Sequence, residues 1–353
     1  MVAPISTQED PSLSGGDWTA PGVYRCAPDV YRIPLPLPND GLRAVNVYAL
    51  ADADGWSLVD AGWALQESRE LLSAAMAALG AGLGDVRRFL VTHCHRDHYT
   101  QAVTLRREFG TRVLLGAGEE ANLARMNDPQ RLGREGEVAR LVRAGAPHLA
   151  RAVESRGFDG LDLTQWAMPD EFLANGARLT VGERGERTLE VVETPGHTRG
   201  HVVYADDGNA LLFAGDHVLP SITPSIGFEP MPLDSPLAAF LTSLQLIRER
   251  PDAELLPAHG VVGRRVHERV DELLAHHGQR LDDSLAAVRE GRHSAFEVAG
   301  ALGWTRRNTA LADLDLQNST LAVLETRAHL DVLVERGALV RSEVDGIALY
   351  DLP

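Results

Sequence analysis

Apolar positions change their spacing several times along this chain, and each change marks an element. In "VYRIPLPL", "AVNVYALA" and "WSLVDAG", β-branched and aromatic residues alternate with small or polar ones, which predicts short strands. Over residues 65–79 the period lengthens: Leu65, Leu72, Met76 and Leu79 fall near one face, as in a helix. "VRRFLVTH" and "TRVLLG" return to strand on either side of another helix. From about 119 to 173, Arg, Glu, Ala and Leu dominate and predict two or three inserted helices without a core of their own. Strands resume at "ARLTVG", "TLEVVETPG" and "HVVYADDGNALLFAGD", the last with "DDGN" as a hairpin turn. A helix over 236–250 precedes "ELLPAHG", and a long helical stretch over about 262–290 leads to the tail. There Ser294 and Glu297 have capping-box spacing, a helix spans about 321–335, and "LVRSEVDGIALYDL" turns at Asp345-Gly346.

These elements predict an α/β (α+β) chain in three parts. Residues 1–22, rich in Pro, Ser, Gly and Asp, read as a loose arm. Residues 23–262 form the main domain, with the helical insertion at about 119–173. Residues 263–353 supply a linker helix and then helices followed by a two-stranded wing, the pattern of a winged-helix module.

Composition narrows the function. An apolar fraction of 44% and a charged fraction of 24% are those of a soluble globular protein. The formal charge is −16, and every basic residue is arginine. That acidity speaks against nucleic acid as a partner, since phosphate binding needs clustered positive charge. Two cysteines, Cys26 and Cys94, make a disulfide framework improbable. "MVAPISTQED" lacks the basic and apolar regions of a signal peptide, and no stretch is long enough to span a membrane. A cytoplasmic location is the expectation.

Chemistry is concentrated where apolar runs stop. "LVTH" ends on His93, "VVETPGH" on His197, "LLFAGD" on Asp216, "ELLPAH" on His259 and "SLVD" on Asp60. A sheet edge would bring such residues to one point. His93 and His95 share a face of an extended segment, while Asp97 and His98 follow where the chain turns into a helix and can face a second ion. Imidazole and carboxylate suit zinc-like ions, and a carboxylate can bridge two of them. A set of polar surface-turn histidines would not explain strand-end placement.

"THCHRDH", "TPGHTRGH", "FAGDHVL" and "LLPAHG", in that order, resemble the metallo-β-lactamase superfamily over about residues 25–260. The resemblance implies an αββα sandwich with a dinuclear site at one sheet edge. It implies His93, His95 and His197 on a first metal, Asp97, His98 and His259 on a second, and Asp216 between them. Asp60 matches an early aspartate that partners a ligand histidine. Asp97 and Asp60 are the expected catalytic residues. The tail resembles the winged-helix module of the β-lactamase-like protein 2 group. Two divalent ions are expected, zinc first, with manganese or iron able to take the same ligands.

The implied reaction is attack by hydroxide, available near neutral pH beside two metals, on a small acyl substrate: thioester, ester or lactone. Phosphodiester cleavage of RNA or DNA and β-lactam hydrolysis are the alternatives. A vestigial site beside a binding module conflicts with the complete ligand set. A mononuclear iron dioxygenase would leave the second set unused, and a diiron flavoprotein partner would need a flavodoxin-like module. The oligomeric state is open, a homodimer included. Cys94, alternating with His93 and His95, should point away as a buried filler. His201 reads as a buried histidine more than a partner of the site, and His217 as packing or a substrate contact. Arg199 reads as exposed or as an anion contact; Ser221, Thr223 and Ser225 as pocket lining or plain loop. His148, His267, His276, His277, His293 and His329 read as solvated surface.

Overall fold

Residues 7–38, 41–128, 135–156, 162–182, 185–305 and 307–353 are described by a computed structural model. Eight strands make the first sheet in chain order: β1 (Thr7–Glu9), β2 (Val23–Ala27), β3 (Val30–Pro36), β4 (Ala44–Asp52), β5 (Gly55–Val59), β6 (Val86–Val91), β7 (Arg112–Gly116) and β8 (Glu171–Leu173). Neighbours from β2 to β5 are antiparallel, and those from β5 to β8 are parallel. The second sheet holds β9 (Arg178–Val181), β10 (Arg187–Glu193), β11 (Val202–Asp206), β12 (Leu211–Gly215) and β13 (Glu254–Pro257), antiparallel except for the β12/β13 pair.

Strict alternation sorts the strand side chains into layers. Tyr48, Leu50, Val59, Leu90 and Leu114 meet Val191, Tyr204, Phe213 and Leu256 between the sheets. Their neighbours Val47, Leu58, Phe89 and Val113 face outward, under α1 (Gln66–Ala78) and α2 (Arg96–Phe109). On the second sheet Val203, Leu212 and Leu255 face outward under helices of the later chain. Both faces are covered, so the strands read as near-continuous apolar runs, and the layering is the αββα sandwich.

The insertion contains α3 (Glu120–Met126), α4 (Glu135–Arg143) and α5 (Pro147–Ser155), but it ends as strand β8. Its helical reading therefore stops too late: those last residues pair with β7. After it come α6 (Pro236–Glu249), α7 (Val266–Arg289), α8 (Ala295–Ala301) and α9 (Leu316–Glu335), then the hairpin β14 (Val340–Val344) and β15 (Ile347–Asp351). Ser294 and Glu297 form the capping box expected of them. One apolar cluster runs from Val203 and Leu212 through Phe240, Leu244 and Val270 to Val298, Val323 and Leu330, and takes in Leu141 and Ala150 of α4 and α5.

Two further expectations need correction. The arm is not loose from residue 7 onward: β1 pairs with β2, and buried Asp10 holds buried Arg32 through two contacts of 2.6 and 2.7 Å. Residues 1–6 lie outside the described residues. His277 and His329, read as solvated, are buried where α7 meets α9. Among the described residues, no helix is long and apolar enough to cross a membrane.

Candidate metal centre

Strand direction gathers the site. β5 and β6 are parallel, as are β12 and β13, and β10 runs with β12 because each is antiparallel to β11. Their C-terminal ends therefore lie on one edge. Asp60 follows β5, His93 stands two residues past β6, His197 follows β10, Asp216 is the first residue after β12, and His259 stands two past β13. His95 caps α2, whose first turn carries Asp97 and His98. Gly215 turns the chain into Asp216 with φ of +50°, and a Cβ there would stand 2.7 Å from His201 Nε2, so only glycine fits.

The predicted ligands converge as two groups: His93, His95, His197 and Asp216, and Asp97, His98 and His259. In the first, His197 Nε2 lies 3.0 Å from His95 Nδ1, 3.2 Å from His93 Nε2 and 3.4 Å from Asp216 Oδ2. In the second, Asp97 Oδ2 lies 3.4 Å from His259 Nε2 and 3.6 Å from His98 Nε2. Asp216 reaches both, because its Oδ1 is 3.3 Å from His259 Nε2 and 3.6 Å from His98 Nε2. Donors around a tetrahedral zinc with bonds of about 2.0–2.1 Å stand about 3.3–3.4 Å apart, so the spacing fits. His98 Nε2, His259 Nε2 and Asp216 Oδ1 are also buried with no hydrogen-bond partner. Buried polar atoms are rarely left so, and these converge on one another. The residues present can hold divalent metal ions.

Each histidine is turned by its other nitrogen. A carbonyl only accepts, so the ring atom facing one carries the proton: His259 Nδ1 to Ala44 O at 2.7 Å, His197 Nδ1 to Ser225 O at 2.7 Å and His95 Nε2 to Phe228 O at 3.1 Å. Thr92 Oγ1 lies 3.1 Å from His93 Nδ1. Asp60 Oδ2 takes His98 Nδ1 at 2.9 Å, and its Oδ1 accepts from Thr92 N at 2.8 Å. The opposite nitrogens face the ligand groups, where a bound metal would take their lone pairs. Asp60, expected among the catalytic residues, is thereby a positioning residue: both its oxygens are engaged by Thr92 and His98.

Charge follows from burial and neighbours. Burial alone would lower the pKa of His98, but the carboxylates of Asp60, Asp97 and Asp216 outweigh it and push it up to about 10. Burial alone would raise Asp97 and Asp216, yet the histidines beside them hold both below the usual carboxylate range. Burial, then His95, takes His197 down to about 4. The edge thus holds ionised carboxylates around a place that wants positive charge.

Other residues find different work from that expected. His201 is buried, and its Nε2 accepts from the Asp216 backbone N–H at 3.1 Å, so it steadies that turn. His217 is buried beside Phe240, ring centroids 5.1 Å apart. Cys94 does point away from the ligands, but it donates to Glu119 Oε2 at 3.0 Å and is more than a filler. Arg199 donates to Met231 O at 3.1 Å. Ser225 serves through its carbonyl. Sequence reasoning missed a buried polar network in which Glu119 accepts from Cys94, Thr198 and Asn122, and Glu229 accepts from Asn122 and the Arg199 N–H. Of the orienting set, only Asp60 was read from the sequence; Thr92 and the carbonyls of Ala44, Ser225 and Phe228 were not.

The chain is similar to several known proteins. The Metallo-beta-lactamase superfamily pattern matches residues 40–259. A Probable metallo-hydrolase YqjP of Bacillus subtilis is 25% identical over 330 residues, 91% of this chain and 97% of that one. A Hydroxyacylglutathione hydrolase of Acidiphilium cryptum is 26% identical over 270 residues, 76% and 86% of the two chains. The crystal structure of the metallo-beta-lactamase family protein TTHA1429 from Thermus thermophilus superposes with a TM-score of 0.75 at 28% identity, covering 93% of this chain and all of that one. The fold, the strand-end ligands and these likenesses agree, and the chain belongs to the metallo-β-lactamase superfamily as a metal-dependent hydrolase.

Proposed function

We propose that the centre is dinuclear and hydrolyses a small acyl substrate, a thioester first, an ester or lactone next. The observation that carries this is the Asp216 carboxylate, with one oxygen directed at each ligand group. His93, His95 and His197 would hold one divalent ion, zinc by its donor set, and Asp97, His98 and His259 the other. When bound, such a pair acidifies water and polarises an acyl oxygen.

The chain's own groups do the rest. Asp60 and the carbonyls of Ala44, Ser225 and Phe228 keep the histidines fixed, so little reorganisation accompanies the reaction. Asp97 is more open to water than Asp216, with 13% of its side chain exposed against 7%. It accepts the proton of the attacking water and passes it to the leaving thiol or alcohol as the acyl bond breaks. The hydroxyacylglutathione hydrolase likeness supports a thioester, the form an acyl group takes on glutathione. The acidic balance of −16 weighs against a phosphodiester backbone.

The test is hydrolysis of an acyl-CoA, a lactone, a β-lactam and a single-stranded RNA before and after chelation. Chelator-sensitive cleavage of the acyl-CoA or lactone is expected. RNA cleavage without acyl hydrolysis would replace this reading with a nuclease.

A further inference from the structure

The tail carries a second histidine cluster, away from the strand-end ligands. Helix α7 contributes His276 and His277, and α9 contributes Glu325 and His329. One donor atom from each of His276, His277 and Glu325 lies within 4.8 Å of the others.

Hydrogen bonds fix the tautomers. His329 Nδ1 is 2.8 Å from the Glu325 carbonyl, so it carries the proton and Nε2 is a lone pair. That lone pair lies 3.1 Å from His277 Nδ1, which must then donate. The chain of donors ends at His277 Nε2, a bare lone pair that is buried and has no partner. A buried pair of packing histidines gives no reason for the unused nitrogen, whereas a ligand atom is required to be bare and neutral. His276 is exposed and Glu325 half-buried, so water can complete a coordination sphere. Arg280, one turn along α7, donates to Gly303 O at 3.1 Å and lies over the Trp304 ring at 4.2 Å.

We propose that His276, His277 and Glu325 form a separate site for a zinc-class divalent cation, two imidazoles and a carboxylate with water in the remaining position. Such an ion joins α7 to α9 and so fastens the helical tail. His277 also packs on Phe240, ring centroids 5.5 Å apart, and Phe240 on His217 beside Asp216. The ion would therefore brace the layer behind the candidate metal centre without sharing its donors.

The test counts zinc per chain by mass spectrometry after dialysis against micromolar zinc. His276→Ala and Glu325→Gln alter solvent-reachable positions; exposed His148→Ala is the control for adventitious binding. Each is made in the full chain and in a His95→Ala, Asp216→Ala background that disables the candidate metal centre. His276→Ala and Glu325→Gln are each expected to lower the count by about one ion per chain, His148→Ala to leave it unchanged. The background protein should keep that ion, and zinc should raise its unfolding temperature until Glu325→Gln is added. Unchanged counts in His276→Ala and Glu325→Gln, or a folded background protein without zinc, would overturn the site. If the background does not fold, the full-chain comparison decides.

Discussion

Asp60 Oδ2 lies 2.9 Å from His98 Nδ1, and both side chains are shut away from water. The pair fixes which face of the imidazole is bare. Asp60→Ala removes the partner and frees the ring, so zinc at the Asp97, His98 and His259 group should bind about 10–100-fold more weakly. Competition with a chromophoric chelator measures this. Equal affinities in Asp60→Ala and the parent would deny Asp60 its positioning role.

Zinc should be part of the stability of this protein. Chelation leaves His98 Nε2, His259 Nε2 and Asp216 Oδ1 buried without hydrogen-bond partners. Free zinc at about a hundred times its Kd should add about 2.7 kcal/mol per site, and the melting temperature should rise with zinc concentration. A melting temperature indifferent to chelator and zinc would contradict this.

Glu229 introduces a pH dependence of opposite sign to that of a salt-bridged carboxylate. Burial, and then Glu119, push its pKa up to about 8 from an ordinary value of 4.5. Between those limits the folded state holds a proton that the unfolded state has lost, so stability falls as pH rises and is level outside the window. The upper bound of the fall is about 4–5 kcal/mol. Glu229→Gln should abolish the slope, raising the urea midpoint of metal-free protein at pH 8 and leaving it nearly unchanged at pH 5. Parallel pH profiles for the two proteins would contradict the assignment.

The N-terminal arm from residue 7 onward reaches the candidate metal centre through its scaffold. Arg32 holds Asp10 and donates to Asn46 Oδ1 at 2.8 Å. Asn46 in turn donates to Pro257 O and Gly260 O, on either side of His259. Asp10→Ala leaves a buried guanidinium unpaired, a change that costs about 3–5 kcal/mol. Urea denaturation should show that loss; a cost below about 1 kcal/mol, as for a surface pair, would show the arm to be dispensable.

These cases show what could be read from the residues and what could not. That the seven candidate ligand positions would converge was legible because each ends or follows an apolar run, and alternation makes strand ends predictable. Asp60 was legible for the same reason, and the resemblance implied its role as a partner of a ligand histidine; that the partner is His98, with Thr92 on the other oxygen, is visible only in the contacts. The arm was not: Asp10 and Arg32 stand 22 residues apart, and nothing in a Pro- and Ser-rich segment announces a buried pair. Strand β8 is three residues long and follows helices, so no period could reveal it. His277 and His329 sit among polar neighbours and are buried only because α7 meets α9. The Glu119 and Glu229 network joins residues from four separate segments, and local pattern carries no trace of that.

The most direct measurement is anomalous diffraction at the zinc edge from crystals grown with zinc. The account predicts two peaks about 3.5–4 Å apart, one beside His93, His95 and His197, the other beside Asp97, His98 and His259, with Asp216 between them. A single peak, or two peaks without Asp216 between them, would contradict the dinuclear centre.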